Sequence, residues 1–294
     1  MNITKAVIPV AGKGTRFLPA TKEIPKEMIP ILDKPMIHYA VEEAVKSGIK
    51  EVLFVTSSGK ESIENYFDRN FDLETFLANV GKNDYLEKVK NVSSMIEVAS
   101  VRQKKQLGLG HAISCAKSFI GNDNFAVILA DDLVLSDEPV TKQLVDVSTK
   151  HNNCSVIGVM EVAQKDVSKY GIVDGQYIEG LKKTLKMKTM VEKPSPESAP
   201  TNLATPGRYI LSATIFDCLN EIKPGVGGEY QLTDAINMLA SRDQVLAHIF
   251  EGDRFDTGNV ESYLEAVVEF ALRDERYAQL MKNIIQQKAG EIKL

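Results

Sequence analysis

The run Ala6-Val7-Ile8-Pro9-Val10 leads without a break into Ala11-Gly12-Lys13-Gly14-Thr15-Arg16, and Pro25-Lys26-Glu27-Met28 follows shortly after. A continuous apolar run of this kind reads as a strand buried on both faces. Gly12 and Gly14 let backbone N–H groups approach an anion closely, because no Cβ intervenes. Arg16 and Lys26 set two fixed cations beside the same loop. In an open α/β sheet, ligands bind beyond the carboxyl ends of the strands. This stretch therefore predicts both the fold class and a phosphate site.

Outward from it, β and α signals alternate. Glu51–Thr56, Ile96–Val101, Phe125–Ala130 and Cys154–Val162 read as strands, with helices expected at Pro35–Ser47, Lys60–Phe67, Gly110–Phe119 and Val140–Lys150. Gly48 suits the position just past the end of a helix. Phe71–Ser94 is more polar and interrupts the alternation as an insertion. From about Tyr170 the pattern shortens into strand-like pieces, Gly171–Asp174, Gln176–Glu179 and Leu185–Val191, before a proline-rich loop at Pro194–Pro200. Arg208–Leu211 and Val245–Phe250 add strands, and helices are expected at Ala213–Leu219 and Tyr230–Ala240. A long terminal helix is expected from Val260 to about Gln287, with Leu264, Val267, Val268, Ala271 and Leu272 as its apolar stripe. The expected fold is α/β: a doubly wound, mostly parallel, Rossmann-like sheet with an antiparallel β elaboration and a long C-terminal helix.

Composition narrows the function. The 294 residues carry a net charge of −5 with 44% hydrophobic and 26% charged residues, so no general positive field is available for nucleic acid. A phosphorylated ligand must be held by a few placed cations. Cys115, Cys154 and Cys218 form no CxxC pair, which disfavours a zinc or redox motif and suits a reducing, cytoplasmic setting. No apolar run approaches the roughly 20 residues of a membrane span.

Two common phosphate motifs fail on this loop. A P-loop needs Lys and Ser/Thr after its second glycine, whereas Lys13 precedes Gly14. A dinucleotide fingerprint needs a third small residue, where Phe17 stands, and an acid after the second strand, where Thr56-Ser57-Ser58 stands. A loop that wraps a nucleoside triphosphate remains. The pattern Ala11-Gly12-x-Gly14-Thr15-Arg16-x-x-Pro19-x-Thr21-Lys22-x-x-Pro25-Lys26-Glu27-Met28 resembles the signature of bacterial sugar-1-phosphate nucleotidyltransferases, and within them the uridylyltransferases. Thymidylyltransferases usually carry a further glycine where Ala11 stands. The resemblance runs through nearly the whole chain and implies UTP and glucose 1-phosphate as partners.

It also implies roles. Arg16 and Lys26 would stabilise departing pyrophosphate, and Ala11, Gly12, Gly14, Thr15 and Glu27 would lie at the nucleotide. Gln103 and Gly108, within Gln103 to Ala112, would meet the uracil edge, which an amide can both donate to and accept from; on the residues alone, a loop capping the next helix is an equal reading. Asp131 follows the most hydrophobic strand and is a candidate Mg²⁺ ligand. Asp256, in Phe255-Asp256-Thr257-Gly258-Asn259, could equally cap a helix; the resemblance makes it the second metal ligand. Val191-Glu192-Lys193-Pro194 would give Glu192 to sugar hydroxyls and Lys193 to the sugar phosphate, with Gly171 and Glu229 at the sugar. The resemblance further implies one nucleotidyltransferase domain over 1–294. Its nucleotide half would span about 1–165 and its sugar-phosphate half about 166–258. A helical segment over about 259–294 would build a homodimer or homotetramer.

Overall fold

The computed structural model describes residues 3–291. In chain order the strands of the main sheet are β1 (Lys5–Pro9), β2 (Glu51–Thr56), β3 (Glu97–Arg102), β4 (Phe125–Ile128), β5 (Ser155–Glu161), β6 (Gly171–Tyr177), β7 (Thr184–Glu192), β8 (Leu203–Thr205), β9 (Arg208–Leu211) and β10 (Val245–Ile249). Across the sheet they lie in the order β8-β6-β7-β10-β5-β9-β4-β1-β2-β3. β4, β1, β2 and β3 are parallel neighbours, and β10 runs parallel to β5. β9 enters antiparallel between β4 and β5, and the β6–β7 hairpin continues the sheet in antiparallel fashion.

Strand period sets the layers. Ala6 and Ile8 face one way, packing with Ile37, Val41 and Leu144 of the helices Met36–Lys46 and Val140–Lys150. Val7 faces the other way, with Ile113, Phe216 and Ile236 of Leu109–Ser114, Ile215–Glu221 and Leu232–Arg242. Both faces of the sheet are thus covered, which is why its central strands read as unbroken apolar runs. Met36–Lys46 ends on Ser47, with Gly48 at a left-handed φ of 87° as anticipated.

Four expectations change, the first being that the helix expected over Gly110–Phe119 is two, Leu109–Ser114 and Lys117–Ile120. Gly171–Asp174 and Gln176–Glu179 are one strand, β6, and not two. Gly175 makes no turn; its missing Cβ lets the backbone lie against the Lys186 carbonyl of β7. The long terminal helix is two helices, Val260–Arg273 and Ala278–Glu291. Between them Arg276 turns back to Asp33 at 2.6 Å and to Asp274 at 2.7 Å, pinning the break. The first helix buries Ala266, Phe270 and Ala271, so the anticipated stripe is rotated and Leu264 and Val268 are exposed.

β9 brings a buried charge into the core. Arg208 donates to Glu43 at 2.8 and 3.0 Å, to the Leu129 carbonyl at 3.0 Å and to the Asp132 carbonyl at 2.6 Å. Glu43 also accepts from the Thr141 hydroxyl at 2.6 Å. Burial alone would raise the Glu43 carboxyl, but Arg208 and Thr141 outweigh it and hold it below its ordinary range. Arg208→Met strands that carboxylate and is expected to cost about 3–5 kcal/mol in urea unfolding at pH 7. A depressed folded pKa contributes stability that is complete above the ordinary value of 4.5 and is lost as pH falls below it through the lower folded value. The gap between parent and variant should therefore narrow in acid; a gap independent of pH would contradict the assignment.

Candidate active site

The loop after β1 divides its two glycines between two jobs. Gly14 adopts φ 64°, and its carbonyl accepts from Thr21 Oγ1 at 2.7 Å. A Cβ on Gly14 would lie 3.0 Å from Lys26 Cβ, so this glycine seats the loop against the Lys26 turn. A Cβ on Gly12 would meet nothing within 4 Å. Gly12 faces a cleft of about 1080 Å³, lined also by Ala11, Thr15, Ser57, Gln103 and Gln106. The Ala11 carbonyl is held by Gln106 Nε2 at 2.6 Å and by Ser57 Oγ at 3.1 Å.

Behind the loop the charges are paired. Lys26 forms a close ion pair with Asp131. Burial draws the Lys26 ammonium down, but Asp131 and Glu27 outweigh it and hold it above its usual value. Burial likewise pushes Asp131 up, and Lys26 outweighs it to keep the carboxyl low. Both groups are therefore charged. Glu27 is buried and accepts from Lys60 at 2.7 Å; its desolvation is only partly offset by Lys60 and Lys26, and its carboxyl is raised.

A second cleft, of about 770 Å³, is lined by Arg16, Asp131, Gly171, Glu192, Lys193, Glu229 and Asp256. The wall that carries Asp131 and Asp256 is built by the chain closing on itself. The Thr257 N–H and hydroxyl both donate to the Asp131 carbonyl, at 2.8 and 2.9 Å. The strand Asp253–Asp256 pairs antiparallel with Asp132–Leu135, setting Asp256 opposite Asp132. Asp256 Oδ1 accepts from the Gly258 N–H at 2.8 Å, and a Cβ on Gly258 would come 3.1 Å from Arg16 Nη2. That glycine lets the guanidinium reach the turn. Arg254 pairs with Asp132, donates to Tyr170 Oη at 2.6 Å and lies 3.8 Å from Asp256. Burial pushes the Asp132 carboxyl up to about 7, with Asp131 adding to it against the pull of Arg254. Lys193 takes a left-handed φ of 45° and donates its N–H to the Tyr170 carbonyl at 2.9 Å.

The nucleotidyl transferase family model matches residues 5–272. The chain belongs to the nucleotidyl transferase family. A curated UTP–glucose-1-phosphate uridylyltransferase of Staphylococcus epidermidis is 50% identical over 97% of this chain and 98% of its own length. A UTP-bound UGPase from Acinetobacter baumannii is 43% identical, with a TM-score of 0.89 over 97% of this chain and 99% of that one. A UDP-glucose pyrophosphorylase complexed with UDP-glucose is 45% identical, with a TM-score of 0.84 over 92% of this chain and 100% of that one.

In this nucleotidyl transferase Ala11, Gly12, Thr15 and Gln103 line the first cleft and Arg16, Asp131, Gly171, Glu192, Lys193, Glu229 and Asp256 the second, whereas Gly14, Lys26 and Gly108 line neither, Lys26 lying behind the loop against Asp131. Gly108, at φ 93°, packs on Glu229 and Tyr230. Two expectations need correction. Glu27 lines neither cleft, because its carboxylate is buried against Lys60. Gln103 reaches the first cleft, but its amide nitrogen is committed inward, to the Gly108 carbonyl at 3.2 Å and His111 Nδ1 at 2.9 Å. It is therefore not free to donate and accept at once. Asp256 does not cap the following helix; Asn259 does, accepting from Ser262 at 3.0 Å. Arg254, Thr257, Ser57 and Gln106 were not anticipated. Arg254 could have been, since it stands two residues before Asp256 in a strand and shares its face.

Among the described residues no three His, Cys, Asp or Glu side chains gather as a metal cage. Asp131 and Asp256 on one cleft suit Mg²⁺, which takes one or two carboxylates and draws its other ligands from phosphate and water. The glycine geometry predicts a separation of effects. Gly14→Ala should lower stability by about 1–2 kcal/mol, since a side chain there is strained by both φ and contact. Gly12→Ala should melt with the parent; equal destabilisation by the two would refute the division of roles.

Proposed function

We propose that this chain is a UTP–glucose-1-phosphate uridylyltransferase, joining UTP to glucose 1-phosphate and releasing pyrophosphate with UDP-glucose. The observation that carries the reading is a single cleft lined by Asp131 and Asp256 together with Glu192, Lys193 and Arg16, the residue that follows the glycine loop. The near full-length identity to a relative of that name supports the substrate pair.

The reaction is an in-line displacement. A phosphate oxygen of glucose 1-phosphate bonds to the α-phosphorus of UTP, and the bond from that phosphorus to the bridging oxygen of pyrophosphate breaks. The attacking oxygen is already anionic, so no general base is needed, and catalysis is positioning with charge neutralisation. Lys193 holds the attacking phosphate while Glu192 and Gly171 receive the sugar, with Glu229 at the rim. Arg16 offers a planar fork and Lys26 a point charge to the leaving pyrophosphate. Ala11, Gly12 and Thr15 line the nucleotide's place, and the Glu27–Lys60 pair positions the Lys26 turn beneath it. Asp131 and Asp256 would hold Mg²⁺, whose chemistry there is neutralisation of the reacting phosphates.

Residues of about 1–165 serve the nucleotide and about 166–258 the sugar phosphate. The segment of about 259–294 joins copies into a dimer or tetramer, an assignment supported by exposed Leu264, Leu280, Ile284 and Ile285. The setting proposed is the cytoplasm, in keeping with three free cysteines. No helix among the described residues is long and apolar enough to cross a membrane.

Pyrophosphate release should appear with UTP and glucose 1-phosphate in the presence of Mg²⁺, with UTP preferred over dTTP; better use of dTTP would displace the assignment. Lys26→Ala should lower kcat by about 10²–10³-fold or more while the protein stays folded. Near-parental turnover in that variant would remove Lys26 from the reaction. Asp131→Asn should shift the Mg²⁺ titration to much higher concentration or abolish activity, and an unchanged titration would exclude it as a ligand.

A further inference from the structure

The helix Leu232–Arg242 lies along β7 and spends two polar side chains on it. Asn237 grips Met190 from both sides: its Oδ1 accepts the Met190 N–H at 2.7 Å and its Nδ2 donates to the Met190 carbonyl at 2.7 Å. One turn earlier, Thr233 Oγ1 donates to Glu192 Oε2 at 2.6 Å. The spacing explains the match. Four helical residues advance about 6 Å, and two strand residues advance about 6.6 Å. Positions i and i+4 of the helix therefore meet two residues on one face of the strand, in opposite chain directions.

Glu192 is confined on its other sides as well. Gly171 stands opposite it in register, and a Cβ there would come 3.4 Å from Glu192 Oε2. Glu192 Oε1 lies 3.8 Å from Lys193 Nζ. Thr233 is itself buried, at 6% exposure, in the wall of the same cleft. One carboxylate oxygen is thus tied to the helix, and the plane of the carboxylate is set by that tie.

We propose that Thr233 is the positioning residue for sugar selectivity, acting through Glu192 on a strand that Asn237 anchors. The inference rests on the uridylyltransferase reading above. A carboxylate that can rotate adjusts to an axial or an equatorial hydroxyl, whereas one held by Thr233 accepts along fixed directions. An epimer then places its hydroxyl off those directions and leaves the pairing unmade, and a site built to hydrogen-bond a substrate hydroxyl discriminates against an analogue that misplaces it.

The test compares parent, Thr233→Val and Thr233→Ser, measuring kcat and KM for glucose 1-phosphate and galactose 1-phosphate with UTP. Calorimetric binding of UDP-glucose and UDP-galactose gives a second readout. Thr233→Val should reduce the glucose-to-galactose ratio of kcat/KM about tenfold, mainly through KM for the sugar phosphate. KM for UTP should stay put, Thr233→Ser should restore the parent ratio, and the ratio of UDP-sugar affinities should narrow in parallel. The proposal is overturned if Thr233→Val keeps the parent ratio, weakens both sugars alike, or is matched by Thr233→Ser. A parent without preference between the epimers overturns it too. If Thr233→Val fails to fold by circular dichroism, Thr233→Ala against Thr233→Ser reads the same hydroxyl. A parent that neither turns over glucose 1-phosphate nor binds UDP-glucose brings down the functional reading itself, while an active, selective parent indifferent to Thr233 loses only this inference.

Discussion

The Asp131 carbonyl receives both the N–H and the hydroxyl of Thr257, a residue 126 positions later in the chain. Thr257 is fully buried, so these two bonds are made away from solvent. Through them the turn after β4 is closed against the strand Asp253–Asp256. Arg208 completes the closure from below by taking the carbonyls of Leu129 and Asp132, one on either side of Asp131. Backbone oxygens do the joining, and the carboxylates of Asp131 and Asp256 are left to face the cleft. Removing the clasp would leave Asp131 in its turn and Asp256 at the end of its strand but would no longer fix one against the other.

The charges around this closure come as pairs: Lys26 with Asp131, Lys60 with Glu27, Arg208 with Glu43 and Arg254 with Asp132. Taking such pairs out of water costs about as much as their attraction returns, so they contribute little net stability. What they contribute is direction. A lysine paired against an aspartate has its ammonium placed before any ligand arrives, and little reorganisation remains for the reaction to accomplish. Arg254 extends the same logic, since it joins Asp132 to Tyr170, both of which line the cleft.

Much of this was legible in the residues. The apolar run Ala6–Val10 has few uses other than a central parallel strand, and the glycines after it mark a loop that opens at Gly12 onto a cleft. Asp131 could be placed because the carboxyl edge of a strand such as Phe125–Ile128 faces ligand. Other features depend on distant partners and left no local trace. Arg208–Leu211 is too short to show a period, and its place in the sheet is tied to a buried pair with Glu43, 165 residues away. The inward commitment of Gln103 depends on where His111 falls, and the buried state of Glu27 on Lys60. The break at Asp274–Tyr277 was missed for a different reason: helical spacing continues through it, while Arg276 is drawn off to Asp33 on another part of the surface.

The terminal helix Ala278–Glu291 has a consequence for the thermodynamics of the whole chain. It is fourteen residues long and has no side chain in the buried class. Helices of that length are marginal in water on their own, because nucleation is costly and only packing repays it. Its helicity is therefore tied to whatever covers Leu280, Ile284 and Ile285, and under the proposed assembly of copies coil-to-helix conversion and association would be one equilibrium. The ellipticity of this protein at 222 nm should then depend on its concentration.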